Sequence, residues 1–241
     1  MKILDSENLP FQKRDSWKIF NQIALRYDLL NHLLSLGLDI SWRQKLLHYF
    51  PEKEKIQMLD LATGTADVVI MAAQKCSRIE KAIGIDLAEE MLAIGRQKIS
   101  QAHLDQRIKL QQGDAMQIPF ENERFELVTM AFGIRNVPNP IITLKEIYRV
   151  TKRGGKALIL EFSLPGNFFL YLFHLFYLRL LVPLIGGLVS GNFKAYFYLN
   201  RTIETFPYGE RFCRMVQQVG FKKVQAHPLL GGIATIYEGE R

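Results

Sequence analysis

Between residues 57 and 162 the sequence alternates short apolar segments with longer amphipathic ones. The apolar segments predict strands, and the amphipathic ones, in which apolar residues recur every three or four positions, predict helices. The predicted strands and helices are, in chain order, strand 57–61, helix 66–76, strand 81–86, helix 88–100, strands 108–112 and 125–132, helix 139–151 and strand 156–162. Alternation over this length predicts an α/β fold with a mostly parallel sheet covered by helices on both faces.

The flanking segments add helices before this region and a hairpin after it. Residues 15–49 have apolar residues at helical spacing, and helix 207–219 is followed by strands 222–229 and 232–239. A closing antiparallel hairpin is typical of a methyltransferase sheet and not of a dehydrogenase. With 241 residues the chain fits a single domain, 1–241, with an N-terminal helical cap over 1–50 and an apolar helical insertion over 163–205.

The stretch Leu59–Asp67 predicts a nucleotide-cofactor loop, because an apolar strand runs into small residues around Gly64 and then into a helix. Small residues allow close approach of a ligand to the backbone, and the helix that follows offers free amides. Twenty-two residues after Gly64, a second short strand ends in Asp86. A carboxylate there can accept hydrogen bonds from both hydroxyls of a ribose.

The loop composition separates two enzyme classes. A dinucleotide fingerprint needs glycine at three set positions to pass a pyrophosphate, whereas this loop has one glycine and keeps Ala62, Thr65 and Ala66 elsewhere. S-adenosylmethionine carries no phosphate, so the loop favours a methyltransferase over a nicotinamide dehydrogenase. A structural strand-to-helix turn without a ligand is the third interpretation.

The amino-acid composition excludes few classes of protein, but it indicates which partners and which compartment to expect. The 31 basic and 24 acidic residues give a net charge of +7, with the basic residues scattered, so no nucleic acid partner is expected. Cys76 and Cys213 lie far apart, and no disulfide framework or metal site is expected. Met1–Glu7 carries acids where a secretory signal would be apolar, so we expect a cytoplasmic protein.

Residues 167–199 are more apolar than a loop of a soluble protein requires. A membrane-spanning helix needs roughly 20 uncharged apolar residues, and His174, Arg179, Pro183 and the pair Gly186-Gly187 interrupt this segment. Two compatible interpretations are a buried helix pair and an interfacial helix that contacts lipid or a lipid-like substrate.

Several motifs together resemble the UbiE/MenG family, which methylates a ring carbon in ubiquinone and menaquinone synthesis. The resemblance covers residue 15 to the end of the chain, and Tyr-Asp-x-x-Asn and Phe-Gly-Ile-Arg-Asn are its specific motifs. The matching segments are 27–31, 60–67, 84–86, 113–120, 132–137, 160–163, 198–199, 206–207 and 231–234. The resemblance implies a class I S-adenosylmethionine-dependent methyltransferase fold, with a Rossmann-like seven-stranded sheet.

The resemblance places the cofactor contacts on Thr65, Asp86, Asp114 and Ala115, with Gly64 and Ala131 beside them. Thr65 offers a hydroxyl and an amide to the methionine end, Asp86 suits the ribose diol, and Asp114 or the Ala115 amide can address the adenine edge. For each of these positions a turn or helix cap is the structural alternative.

Three residues are the predicted catalytic group: Arg135, Asn136 and Tyr27. Methylation of a hydroquinone carbon is favoured when a ring hydroxyl loses its proton, and a nearby cation stabilises the phenolate. An arginine cannot act as the base, so Arg135 is assigned electrostatic stabilisation. Asn136 would orient a ring oxygen or a water, and Tyr27 would close the pocket; for Arg135 an ion pair that fixes the loop is the structural alternative.

Two departures from the family pattern bear on the site. Ala131 stands where the family commonly has a serine, and Leu38-Asp39-Ile40 stands where it often has a basic pair. The second departure leaves open whether the ring is a benzoquinol or a naphthoquinol.

The sequence thus predicts methylation of demethylmenaquinol or a related polyprenyl benzoquinol, with S-adenosylmethionine as cofactor. The enzyme would lie in the cytoplasm, peripheral to the inner membrane face through 167–199, as a possible homodimer or part of a quinone-pathway complex. The alternatives are a methyltransferase for another lipid-like acceptor and a non-catalytic lipid-binding module.

Overall fold

The computed structural model of the protein describes residues 13–191 and 193–241. The prediction made from Met1–Glu7 therefore lies outside the described residues. The strands of the sheet are β1 (Ile56–Leu61), β2 (Ile79–Asp86), β3 (Ile108–Gln112), β4 (Phe125–Ala131), β5 (Thr151–Phe162), β6 (Lys222–Leu229) and β7 (Ala234–Glu240).

The helices occupy both faces of the sheet and the two segments outside it. They are α1 (Ser16–Leu34), α2 (Leu38–Lys45), α3 (Asp67–Lys75), α4 (Glu89–Gln101), α5 (Pro140–Val150), α6 (Phe168–Phe176), α7 (Val182–Ser190), α8 (Phe193–Thr205) and α9 (Glu210–Gln218). A π-helical segment, Tyr177–Leu181, joins α6 directly to α7.

The sheet has the order β3-β2-β1-β4-β5-β7-β6. The first five strands are parallel, whereas β7 runs antiparallel to both β5 and β6. The chain moves outward from β1 to β3 and then returns to β4 on the other side of β1. This reversal opens a crevice at the carboxyl ends of β1 and β4, where open α/β sheets bind ligands.

Buried residues of the strands and of the covering helices form one apolar layer on each face of the sheet. A third cluster lies outside the sheet, where α1 packs against the α6–α8 segment around Ile19, Leu30, Leu178 and Tyr196. The predicted cap and insertion regions therefore pack on each other, above the carboxyl ends of the strands. The division of the chain into one domain with these two additions stays a prediction.

The largest differences between the observed and the predicted boundaries lie at two glycine-containing turns. Strand β5 begins at Thr151 and not at 156, because Thr151 pairs with Phe125 before a register shift that accommodates Gly154. Helix α9 begins at Glu210 and not at 207, because Gly209 precedes it with a φ of +60°. The predicted closing hairpin is confirmed.

Candidate active site

The backbone is strained at the carboxyl ends of β1 and β4. Ala62 and Ala66 after β1, and Phe132 after β4, all have positive φ, an uncommon conformation for residues with a Cβ. Gly133 packs so closely that an added Cβ would lie 2.6 Å from the Cβ of Ala62. Strain of this kind clusters at ligand sites, and here it shapes the two loops that border the crevice.

A cavity of about 290 Å³ lies between these loops. Five of the predicted cofactor residues line it: Gly64, Asp86, Asp114, Ala115 and Ala131. They come from the ends of β1, β2 and β4 and from the turn after β3, so the parallel sheet brings together residues that are 67 positions apart. We call this space the cofactor cleft.

Asp86 holds the cofactor loop in place. Its carboxylate accepts hydrogen bonds from the backbone N–H of Gly64 at 2.8 Å and from that of Ala88 at 2.9 Å. Burial raises the pKa of Asp86, and the surrounding backbone amides partly oppose this rise. An ionised carboxylate has about four acceptor positions, so Asp86 keeps acceptor capacity for a ribose diol.

Asp114 and Ala115 lie in a turn on the opposite wall of the cofactor cleft. The Asp114 carboxylate accepts a hydrogen bond from the backbone N–H of Met116 at 2.8 Å. Asp114 thus stabilises a turn, which was the alternative role considered for this position. Ala115 is buried against the core. This geometry holds the turn rigid beside the cleft, and a role of either residue toward adenine stays a prediction.

Thr65 does not line the cofactor cleft. Its hydroxyl donates to the Asp28 carboxylate at 2.7 Å and accepts from Lys98 Nζ at 3.3 Å. Lys98 also pairs with Asp67 at the start of α3. The side chain therefore links α1 to the cofactor loop, which leaves the Thr65 backbone amide as the group for the predicted contact.

A larger cavity, of about 610 Å³, lies under α1, α2 and the α6–α8 segment. We call it the acceptor cavity. Its wall is predominantly apolar, and its polar exceptions include Asn31, Ser35, Asp39, Arg43, Arg135, Asn136 and His174. The size and lining suit a ligand with a ring and an apolar chain.

The two cavities share a wall made of Phe20, Tyr27, Phe132 and Asn136. Two of the three predicted catalytic residues, Tyr27 and Asn136, thus lie where the spaces meet. Burial raises the pKa of Tyr27, and its neighbours Asn31, Arg43 and Arg135 partly lower it. The phenol is a neutral hydrogen-bonding group at this junction.

Arg135, the third predicted catalytic residue, lines the acceptor cavity and is 4% exposed. Its Nη1 donates to Glu161 Oε1 at 2.5 Å and to the carbonyl of Phe132 at 2.7 Å. Its buried Nε finds no acceptor among the described residues. An unsatisfied buried donor is costly, so the Arg135 guanidinium retains one N–H group for which the described residues supply no acceptor.

The alternative role considered for Arg135 was an ion pair that fixes the loop. Arg135 does form an ion pair, with Glu161, and it also lines the acceptor cavity. Glu161 is completely buried behind the arginine and fixes its position. Sequence reasoning did not identify Glu161 as the partner. One feature of the sequence could have indicated it: Glu161 is an acid near the end of a strand that is predicted to be buried, and a buried acid requires a partner.

Three further groups were missed. Lys13 lines the cofactor cleft, and burial lowers its pKa. Asp39 and Arg43 line the acceptor cavity as a buried ion pair. No spacing rule would have located Lys13, since it precedes the first helix. Asp39 was named only as part of the departure Leu38-Asp39-Ile40, and no role in the site was assigned to it.

The sequence profile of the ubiE/COQ5 methyltransferase family matches residues 10–241. A ubiquinone/menaquinone biosynthesis C-methyltransferase, UbiE, of Geotalea daltonii is 43% identical over 93% of this chain and 95% of its own length. Demethylmenaquinone methyltransferases of Bacteroides fragilis and Thermus thermophilus are 39% and 40% identical over 91% and 92% of this chain, and over 89% and 100% of their own lengths.

Solved structures show the same fold at low sequence identity. A SAM-dependent methyltransferase of Thermotoga maritima superposes with a TM-score of 0.66 and 20% identity, covering 93% of this chain and 99% of its own. The cyclase SpnF has a TM-score of 0.65 at 11% identity, covering 97% of both chains, so the fold alone does not determine the reaction. The predicted class I methyltransferase fold is confirmed, and so is the resemblance seen in the motifs. The chain belongs to the ubiE/COQ5 methyltransferase family.

Proposed function

We propose that this enzyme methylates a ring carbon of a polyprenyl quinol, either demethylmenaquinol or a related benzoquinol, with S-adenosylmethionine as methyl donor. The observation that carries the proposal is the shared wall of the two cavities at Phe20, Tyr27, Phe132 and Asn136. The smaller cofactor cleft, with Lys13 and Asp86 in its wall, and the larger apolar cavity would hold donor and acceptor in contact, with water excluded. Family membership and the names of the relatives support the same reaction.

The cofactor cleft fits S-adenosylmethionine, which supplies a methyl group on a sulfonium. Asp86 would bind the ribose hydroxyls, and the loop around Gly64 allows close approach of the ligand to the backbone. Lys13 would bind the methionine carboxylate, since it is a cation on the wall of the cleft. Asp114 and Ala115 would contact the adenine.

The residues of the acceptor cavity would control the charge of the quinol ring. Arg135 presents a fixed positive charge to the cavity, because Glu161 and the carbonyl of Phe132 both accept hydrogen bonds from its Nη1. A buried cation favours the phenolate form of a ring hydroxyl. Tyr27 and Asn136 would orient the ring at the junction, and the apolar wall would bind the start of the isoprenoid tail.

The long insertion helix would attach the enzyme to the membrane. Residues Phe168–Val189 form one helix that is long and apolar enough to cross a membrane. Within an apolar stretch of 18 residues of this helix, 22% is buried inside the protein. One face lines the acceptor cavity with Leu170, His174 and Leu178. The other face exposes large apolar side chains: Phe168, Phe169, Leu172, Phe176, Leu180 and Leu188.

This two-sided helix favours interfacial binding over spanning. A spanning helix would lose the packing of its inner face on the domain, whereas a helix in the plane of the interface keeps it and buries its exposed face in lipid. Arg179 pairs with Glu204 on α8 at 2.6 Å, which ties the helix to the domain. We therefore propose a peripheral attachment to the cytoplasmic face of the inner membrane, close to a substrate with a lipid tail.

The first test is transfer of a labelled methyl group from S-adenosylmethionine to demethylmenaquinol and, in parallel, to a demethylated polyprenyl benzoquinol in detergent. Label in one quinol supports the proposal and selects the ring type. Label in neither, with cofactor still bound, contradicts it and favours another acceptor. Liposome flotation of wild type and Phe169→Asp tests the attachment, with equal flotation of both as the contradicting result.

A further inference from the structure

The acceptor cavity contains one carboxylate among the residues that the structure describes around it, that of Asp39 on α2. Its side chain is 4% exposed. Three donors surround it: Ser35 Oγ lies 2.6 Å from Oδ1, His32 Nδ1 lies 2.9 Å from Oδ2, and Arg43 Nη1 also donates to Oδ2. The carboxylate is therefore fixed in position, as in a site built for recognition.

Asp39 is held in the ionised form. Burial alone would raise its pKa, but the hydrogen bond from Ser35 and the charge of Arg43 outweigh this effect, so the pKa of Asp39 lies below its usual value. His32 and Arg43 also donate hydrogen bonds to it. An ionised carboxylate only accepts hydrogen bonds. The cavity lining thus includes one negatively charged acceptor that no change near neutral pH converts into a donor.

The Asp39–Arg43 pair lies close to the junction of the two cavities. The guanidinium carbon of Arg43 is 5.7 Å from the centroid of the Phe132 ring, and Phe132 belongs to the shared wall. Tyr27, in the same wall, is within electrostatic reach of both Arg43 and Arg135. A ring bound at the junction would therefore meet the Arg135 donor and the Asp39 acceptor in one cavity.

We propose that Asp39 selects the reduced form of the substrate ring. This inference rests on the proposed function, since it concerns a ring whose oxygens exist either as hydroxyls or as carbonyls. A hydroxyl donates a hydrogen bond to Asp39, and the bond leaves the ring electron-rich. A quinone carbonyl is also acceptor-only, so its oxygen would face the carboxylate without a proton between them and would be repelled.

Arg135 does not provide this discrimination. Its N–H groups can donate to a carbonyl oxygen, a hydroxyl oxygen or a phenolate, so it binds both oxidation states of the ring. Its acidic partner Glu161 is fully buried behind it and does not line the cavity. Asp39 differs because it belongs to the residues that line the cavity. A hydrogen bond to a charged group corresponds to about a tenfold to hundredfold difference in affinity.

The test measures binding of both oxidation states without turnover. A demethylated naphthoquinone with a short isoprenoid tail, labelled with tritium, is dialysed anaerobically against the full-length protein with S-adenosylhomocysteine, once oxidised and once chemically reduced. We expect wild type to bind the reduced ring at least tenfold more tightly. Asp39→Asn, which adds a donor and removes the charge, should lower the ratio to about threefold or less.

Two variants control the comparison. Asp39→Glu keeps the carboxylate and should keep the preference, whereas Asp105→Asn makes the same chemical change at an exposed position and should leave the ratio unchanged. Because each ratio compares two ligands on one variant, a general loss of affinity cancels. Equal binding of both forms by wild type overturns the proposal even if Asp39→Asn does not fold, and so does an undiminished ratio in folded Asp39→Asn.

The same preparation distinguishes this failure from failure of the proposed function. Wild-type methyl transfer to the reduced naphthoquinol and to a reduced demethylated benzoquinol is measured in parallel. Absence of transfer to both counts against the proposed function, whereas transfer together with equal binding of the two oxidation states counts against the Asp39 assignment alone.

Discussion

Replacement of Asp86 by asparagine tests the cofactor cleft directly. The carboxylate already accepts the N–H groups of Gly64 and Ala88 at 2.8 and 2.9 Å, and the proposed ribose diol would add two charged hydrogen bonds. Each is worth about 1.5 to 3 kcal/mol, or about 3 to 6 kcal/mol together. Asparagine retains one oxygen and turns an NH₂ group toward one of these donors, so both the diol contact and the loop are weakened.

We therefore expect the Kd of S-adenosylhomocysteine, measured by isothermal titration calorimetry, to rise by about 100-fold or more in Asp86→Asn. Because burial raises the pKa of Asp86, wild-type affinity should also fall as the pH drops through that raised value and the carboxylate is protonated. Asp105→Asn controls for the loss of one acid. Unchanged affinity in a variant with a native circular dichroism spectrum would refute the assignment of Asp86.

Three further predictions concern the reaction and the stability of the site. Arg135→Lys should keep cofactor affinity within about twofold but lower kcat about 100-fold in the methyl-transfer assay, because lysine cannot reproduce the planar contacts to Glu161 and Phe132; full activity would contradict this role. Gly133→Ala should cost about 1 to 3 kcal/mol in urea unfolding, since its Cβ would lie 2.6 Å from the Cβ of Ala62 and 2.9 Å from Met130 Cε; equal midpoints would contradict it. Burial raises the pKa of Asp60 from 3.8 to about 7, so the neutral form is favoured in the folded state and its stabilisation is lost as the pH rises through the folded value. Relative to Asp60→Asn, wild type should lose about 2 kcal/mol of unfolding free energy between about pH 5.5 and 9 in urea titrations; parallel pH profiles would contradict it.

The strands of the sheet and the cofactor cleft were accessible from the sequence because they depend on local patterns. Buried parallel strands read as apolar runs, and the loop at Gly64 and the acid Asp86 both follow such runs directly. The carboxyl ends of parallel strands lie at one edge, so residues placed there by pattern alone come together in space. The largest boundary errors fell at Thr151 and Gly209, where a register shift and a positive φ override the apolar periodicity.

The acceptor cavity was not accessible in the same way. Its polar residues come from α1, α2, the loop after β4 and α6, and the contacts between these elements have no common period in the sequence. The apolar character of 167–199 predicted contact with lipid or a lipid-like substrate, but it did not identify which side chains of the segment line the cavity. The side chain of Thr65 likewise turned to Asp28 on α1, a long-range contact that no loop motif encodes.

This division separates the determinants of the methyl donor from those of the acceptor. The cofactor cleft is formed largely by loops of the sheet, whose geometry is fixed by strands that are buried on both faces. The acceptor cavity is lined largely by α1, α2 and the α6–α8 segment. Helix α1 and the α6–α8 segment pack on each other outside the sheet through their own apolar cluster, whereas Trp42 of α2 belongs to a cluster on the sheet. A change in these helices can alter the cavity while leaving β1, β2 and β4 in place.

The same helices expose the apolar face that we propose to contact lipid, so acceptor choice and membrane attachment would depend on one structural unit. The unit meets the cofactor cleft at Tyr27 and Phe20, and the proposed reaction requires this contact because donor and acceptor must share a dry junction.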